Sequence, residues 1–342
     1  MKKEIFEQPE ALRLTFENVS KNTDKIKTLW KEKQCKRIIT LARGSSANAA
    51  SFAQFIFADL ANIQAQPQSV EVAIDFQAEL DLSNVLAIAV SQSGETKETI
   101  AALEWAKSNG AITLAISNNP DSKLEQIADL AISTLAGKEI AIPATKSYST
   151  ALMVLATIAA ALGEKPAALK ELAQVPAIVE NAITKINLVE SLKVLATAKT
   201  MICCGSGYSE NTANEAALKF RETCYINAIG ISAAELQHGT KALFDEEESF
   251  LIFTSGQTHP ANTELEVLAN RAFENGVRPI VFGNFPKDER YTHIYSEDNW
   301  SLLTSAFVLV AQAQVLVEEL AVKRGLSPDT PRSLSKITQL ES

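Results

Sequence analysis

Cysteine, histidine and aromatic residues are scarce in this chain, and basic residues are outnumbered. Only four of the 342 residues are cysteine. Cys35, Cys203, Cys204 and Cys224 each lie inside or beside an apolar run, which reads as reduced, buried thiols in a cytoplasmic protein rather than a disulfide framework. The adjacent pair Cys203 and Cys204 would point to opposite faces of a strand, so it does not suit metal chelation. The net charge is −9, with no basic run to track a phosphate backbone, and nucleic-acid binding is disfavoured. No apolar stretch reaches the roughly 18 residues of a membrane span. The opening MKKEIFEQPEALRLTFENVSKN has acids throughout and no hydrophobic segment, so it does not read as a signal peptide. GxxxxGK[ST] is missing, and Gly205-Ser206-Gly207 lacks the third glycine of a dinucleotide fingerprint.

What is present is a well-packed globular composition, 46% hydrophobic and 21% charged, with length for one or two domains. Apolar runs alternate with helical patterns. RIITLA (37–42), VLAIAV (85–90) and ITLAI (112–116) read as strands. NAASFAQFIFADLAN (48–62) and TIAALEWAKSNG (99–110) read as helices, the second ending at a glycine of C-cap type. The scheme returns with TMICC (200–204), a helix over NTANEAALKFRETCYI (211–226), SFLIF (249–253), a helix over 263–276 and RPIVFG (278–283). Gly44-Ser45 matches Gly205-Ser206, and Ser93-Gly94-Glu95-Thr96 matches Ser255-Gly256-Gln257-Thr258, each pair about 160 positions apart, as for two copies of one α/β unit. Parallel strands joined by helices predict a mostly parallel sheet flanked by helices in each copy. Residues 1–23 form a helical arm, 24–163 the first unit, 164–192 a helical connector, 193–323 the second unit, and 324–342 a C-terminal tail.

Two turns in the first copy carry hydroxyls and glycines. In SQSGET (91–96), Ser91, Gln92, Ser93 and Thr96 sit between a strand and a helix, with Gly94 allowing close backbone approach. Gly44, Ser45 and Ser46 occupy the corresponding place after the first strand. Free N–H groups and the positive dipole at the following helix starts, joined by these side chains, suit a phosphate. Plain helix capping by the serines is the competing explanation. TSGQT (254–258) lacks the Ser-Gln opening, so the second copy is expected to bind no phosphate. It supplies acid–base groups instead. Glu215, Lys219 and Glu222 share one helix face, followed by Glu235 and His238, whereas His259 and His293 read as structural. A solvated charge stripe is the ordinary reading of such a face, but Ala213, Ala216, Ala217, Cys224 and Ile226 mark this helix as buried. A glutamate can move a proton between adjacent carbons of a sugar, and a lysine can condense with its carbonyl. Lys336, by residue type alone, is a surface lysine.

These motifs, in this order, resemble the sugar isomerase (SIS) domain family. Within it they resemble most the isomerase half of glucosamine-6-phosphate synthases and the SIS-type glucosamine-6-phosphate deaminases. The resemblance runs from KEIFEQP to the tail and implies two tandem flavodoxin-like units. SQSGET stands for the family's phosphate loop, with Gly44, Ser45 and Ser46 as its second loop. EIAIPATK stands for the segment that lines the sugar, with Glu139, the backbone of Ile142, and Lys146. EAALKFRE places the proton-shuttling glutamate at Glu222 and its lysine at Lys219, with Arg221 keeping the charge of the family's lysine. ELQHG places the ring-opening histidine at His238, and PRSLSK the imine-forming lysine at Lys336. The resemblance implies no cofactor and no metal, a hexose or hexosamine 6-phosphate as substrate, and a homodimer in which His238 serves the neighbouring subunit's site. No glutaminase segment precedes KEIFEQP here, so the expected reaction is glutamine-independent: isomerisation with release of ammonia. A galactosamine-6-phosphate deaminase, a fructosamine-6-phosphate deglycase and a non-catalytic sugar-phosphate sensor are the alternatives.

Overall fold

A computed structural model describes residues 1–245, 247–255, 260–294 and 300–336. Gly256, Gln257, Thr258 and His259 lie outside the described residues, as does the tail beyond Lys336. By contact density the described chain divides into two compact units. The first-sheet unit contains residues 7–139 and 146–176 with Ser335 and Lys336; the second-sheet unit contains residues 1–6, 140–145 and 177–334.

Each unit holds one five-stranded sheet in which every pairing is parallel. In the first, β1 (Arg37–Ala42), β2 (Gln64–Pro67), β3 (Val85–Ser91), β4 (Ile112–Ser117) and β5 (Leu130–Ser133) are arranged β2-β1-β3-β4-β5. All seven residues of β3 are buried, which is why this central strand reads as an unbroken apolar run. Ile39, Leu41, Val85, Ala87 and Ala89 face one core with Leu103 and Ala106 of the helix Lys97–Ser108. The alternate residues Ile38, Leu86 and Ile88 are equally buried, as a sheet covered on both faces requires. The helix Lys146–Leu162, buried along nearly its whole length, packs against the helices Gln8–Glu32, Gly44–Ser51 and Ala53–Ala61.

The second sheet repeats the order: β6 (Thr200–Gly205), β7 (Asn227–Ser232), β8 (Glu248–Phe253), β9 (Ile280–Phe282) and β10 (Thr292–Ile294) lie as β10-β9-β8-β6-β7. Both sheets are the flavodoxin-like arrangement, whose connections reverse between the first and third strands of each unit. Residues 164–192 hold short helices, including Pro166–Leu172. Cys35, Cys203, Cys204 and Cys224 are free and buried, and desolvation raises all four thiols, Cys224 to about 11.

Two expectations need correction. The helix Leu302–Lys323 is long and apolar enough to cross a membrane by length and composition, contrary to the expectation that no segment is. Thr304, Ser305, Gln312 and Gln314 interrupt its apolar residues and hide it from a search for unbroken runs. Within the protein 89% of its apolar window is buried, and it packs on the helix Tyr208–Lys219. The second correction concerns residues 211–226, which are not one regular α-helix. The α-helix ends at Lys219, and Phe220–Cys224 continues as a single π turn.

Candidate functional site

In the first-sheet unit the two Ser/Gly turns leave the carboxyl ends of β1 and β3, which are hydrogen-bonded neighbours with Ala42 opposite Val90. They therefore flank the point where the connections reverse, the place where sheets of this order bind ligands. The hydroxyls do not cap the helices. Arg43 and Thr96 are the N-cap residues of Gly44–Ser51 and Lys97–Ser108, and neither makes a side-chain cap bond. Ser91 Oγ instead accepts the Gly94 N–H at 3.2 Å and lies 3.2 Å from Thr96 Oγ1, while Ser93 Oγ accepts the Glu95 N–H at 3.1 Å. The turn is thus shaped by its own serines, and no side chain caps either helix start among the described residues. Ser45 and Ser46, half-buried, make no side-chain hydrogen bond among the described residues.

Gly94 is required twice. Its φ is +67°, and a Cβ there would lie 2.1 Å from Ser122 Oγ. Gly94→Ala is expected to cost about 1–2 kcal/mol from backbone strain alone. Melting temperature and titration with a hexose 6-phosphate check it: the melt should fall and the phosphate affinity should weaken. An unchanged affinity would separate this turn from anion binding.

The same unit places Glu139, fully buried at its side chain, against Lys336, with Lys336 Nζ 2.9 Å from Glu139 Oε2. Glu139 also accepts the Ser147 N–H at 3.1 Å and the Ser147 hydroxyl at 2.7 Å. Lys146 is drawn elsewhere, to Glu7 at 2.7 Å.

In the second-sheet unit Lys219 is enclosed by two carboxylates, 3.4 Å from Glu215 Oε1 and 2.5 Å from Glu222 Oε2. Glu215 and Lys219 are 0% and 1% exposed, whereas Glu222 keeps a 23% exposed side chain, so the row leads from the core to an accessible carboxylate. Burial by itself would push the Lys219 ammonium down, but Glu215 and Glu222 outweigh it and hold the group above its ordinary value of 10.5. The π turn sets where Glu222 points. Tyr225 takes a left-handed conformation, and the Tyr225 and Ile226 N–H groups both donate to the Phe220 carbonyl. Such turns widen a helix and recur at functional sites. Arg324 fixes the end of the turn by donating to the Cys224 carbonyl at 3.1 Å, and the Arg332 guanidinium lies 4.1 Å over the Tyr225 ring. Arg221 donates to the Ala228 carbonyl of β7. In the segment after Glu139, the Glu4 carboxylate accepts the Ile140 and Ala141 N–H groups, and the Ile142 N–H donates to the Asp329 carbonyl at 2.9 Å.

His238, directly after the short helix Ala233–Gln237, is exposed and its ring has no hydrogen bond among the described residues. His293 on β10 is half-buried, and desolvation lowers its pKa. The second switch point differs in character from the first. Ser209 and Ser206 satisfy each other's polar groups, and Glu210 follows, its carboxyl raised by burial and by nearby Glu235. Carboxylates there oppose an anion. The structure therefore groups the candidates into three clusters: the Ser91–Thr96 turn beside Gly44–Ser46, Glu139 with Lys336, and Glu215–Lys219–Glu222. His238 and Lys146 join none of them. Sequence reasoning singled out none of Ser147, Tyr225 and Arg332, although each lies within or beside a stretch that resembles the family.

Two flavodoxin-like parallel sheets, one with a hydroxyl-lined switch point, define an α/β protein of two doubly wound units. The chain belongs to the SIS domain family, whose profile matches residues 33–161 and 194–313, one match over each sheet. It is 32% identical over 357 aligned residues to the glutamine–fructose-6-phosphate aminotransferase (isomerizing) of Thermococcus kodakarensis, covering all of this chain and 58% of that protein. The chain thus spans somewhat over half the length of this curated relative. The C-terminal domain of glucosamine-fructose-6-phosphate aminotransferase from Francisella tularensis has a TM-score of 0.87 at 26% identity, covering 97% of this chain and 98% of that one. The glucosamine-6-phosphate deaminase of Thermotoga maritima shares the fold, with a TM-score of 0.75 at 24% identity over 98% of each chain.

Proposed function

We propose that this chain interconverts glucosamine-6-phosphate with fructose-6-phosphate and ammonia. The observation that carries the reading is the buried Glu215–Lys219–Glu222 row ending in an accessible carboxylate. Burying Glu215 and Lys219 is costly, and a protein that only sensed a sugar phosphate has no physical need for it. Kinship with isomerizing aminotransferases and the anion-binding turns support the same reading.

In this proposal Ser46, Ser91, Gln92, Ser93 and Thr96 hold the phosphate, with Gly44 and Ser45 shaping the second turn. His238 assists ring opening, and Lys336 condenses with the open-chain carbonyl. Glu222 carries a proton between C1 and C2, and Lys219, kept cationic by its neighbours, orients that carboxylate. Glu139, Lys146 and the Ile142 carbonyl contact the sugar. In the deaminating direction one water enters and one ammonia leaves. The exposed ring of His238 supports a homodimer in which it serves a second copy, and four free, buried thiols support a cytoplasmic location.

Purified protein incubated with glucosamine-6-phosphate is expected to release ammonia and fructose-6-phosphate in equal amounts. Parallel reactions with galactosamine-6-phosphate and a fructosamine 6-phosphate decide between this substrate and its closest competitors. No product from any of the three overturns the enzymatic reading in favour of a sensor.

A further inference from the structure

Glu139 closes a small buried circuit in the first-sheet unit. Its Oε1 receives the Ser147 backbone N–H, while its Oε2 receives both the Ser147 hydroxyl at 2.7 Å and the Lys336 ammonium at 2.9 Å. A carboxylate beside the first turn of the 17-residue helix Lys146–Leu162 has an ordinary explanation, as a cap for its free N–H groups. Capping uses only the N–H on Oε1. It does not account for a second donor from the same residue on the oxygen that meets Lys336.

Resting on the imine reading above, we propose that Ser147 is a positioning residue. Its hydroxyl fixes Glu139 Oε2 at the Lys336 amine, so that this oxygen removes and later returns the proton on which imine formation turns. Glu139 takes one proton from the ammonium and frees the nitrogen lone pair. The nitrogen adds to the sugar carbonyl carbon, the C=O electron pair moves to oxygen, and a proton passes from nitrogen to that oxygen to give the carbinolamine. Glu139 then protonates the hydroxyl, which leaves as water, and the nitrogen lone pair forms the iminium. One ammonium and one carbonyl become one iminium and one water, with no net proton exchanged. Ser147 touches neither sugar nor reacting nitrogen and acts only by holding the oxygen that does the transfer. Without its hydroxyl the carboxylate loses one of the two donors that meet on Oε2, and that oxygen is held less firmly at the amine.

The test is borohydride trapping of the Lys336 adduct with fructose-6-phosphate, followed by mass spectrometry, alongside steady-state kinetics and melting curves. Ser147→Ala is expected to slow trapping and kcat together by roughly tenfold, the scale of one hydrogen bond to a charged group, with KM changed less than about twofold. Ser147→Thr, which keeps a hydroxyl, is expected to restore both rates. Parental trapping in Ser147→Ala overturns the proposal, and equal impairment in both variants does so in favour of packing. An unmodified protein that neither turns over nor traps removes the imine reading and this proposal with it. Trapping in the unmodified protein with an unaffected Ser147→Ala removes only the role of Ser147.

Discussion

Glu222→Gln is expected to lower the rate of amino-sugar conversion by roughly a thousandfold, within the range spanned by positioned acid–base groups, with sugar-phosphate affinity held within about twofold. Gln keeps the length of the side chain and an oxygen that can still accept from Lys219, so the π turn keeps its shape. It cannot take a proton from carbon. The Ser/Gly turns proposed to hold the phosphate belong to the other sheet and lose nothing by the change. Turnover gives one measure, and exchange of the C2 hydrogen with deuterium, followed by NMR, gives a second that does not depend on ammonia release. Retained exchange at the parental rate would remove Glu222 from the proton transfer while leaving the fold in place.

The largest expected effect on stability comes from Lys219→Met. Methionine fills a similar volume, but Glu215 is then left in the core without its cation. Removing one partner of a buried ion pair costs about 3–5 kcal/mol. Pairing the change with Glu215→Gln is expected to recover much of that loss, because the stranded charge is gone. Denaturant melts of the single and double variants measure both values, and equal stability of the two would mean that Glu215 was never a burden. The pH dependence has a definite sign. Lys219 is held above its ordinary 10.5, so the stability it contributes is fully present below that value and is lost as pH rises through the higher folded value.

The central strands were legible because parallel strands buried on both faces leave unbroken apolar runs: residues 37–42 match β1 to the residue, and 85–90 cover nearly all of β3. The edge strands were not. β2 reads QAQP, with one buried residue of four, and the exposed positions of β7 break its apolar pattern. In β7, Gly230 looks like a strand breaker but is required by the helix Tyr208–Lys219, since a Cβ would lie 2.5 Å from Asn214 Cα. The Ser/Gly turns were legible by residue type, and the Glu215–Lys219–Glu222 row by helical spacing with alanine around it. The π turn was not, because nothing in FRETC distinguishes it from α-helix; it depends on Tyr225 adopting a conformation unusual for a residue with a side chain. Ser147 was hidden for a different reason: the carboxylate it bonds, Glu139, meets Lys336 from a distant part of the chain.

The second-sheet unit is drawn from three separated stretches, residues 1–6, 140–145 and 177–334. During synthesis the first two emerge long before the third. The helix Lys2–Phe6 packs on Leu302–Lys323, and the Ile142 N–H bonds to Asp329, so both early stretches wait for partners made near the end. Closing connections of this length is slow, and a nascent chain exposes the waiting segments meanwhile. The first sheet has all five of its strands by Ser133, whereas the loop carrying Ile142 settles only after residue 329 has left the ribosome. A truncated product can therefore carry the complete first sheet with its Ser/Gly turns while the segment around Ile142 is still unset.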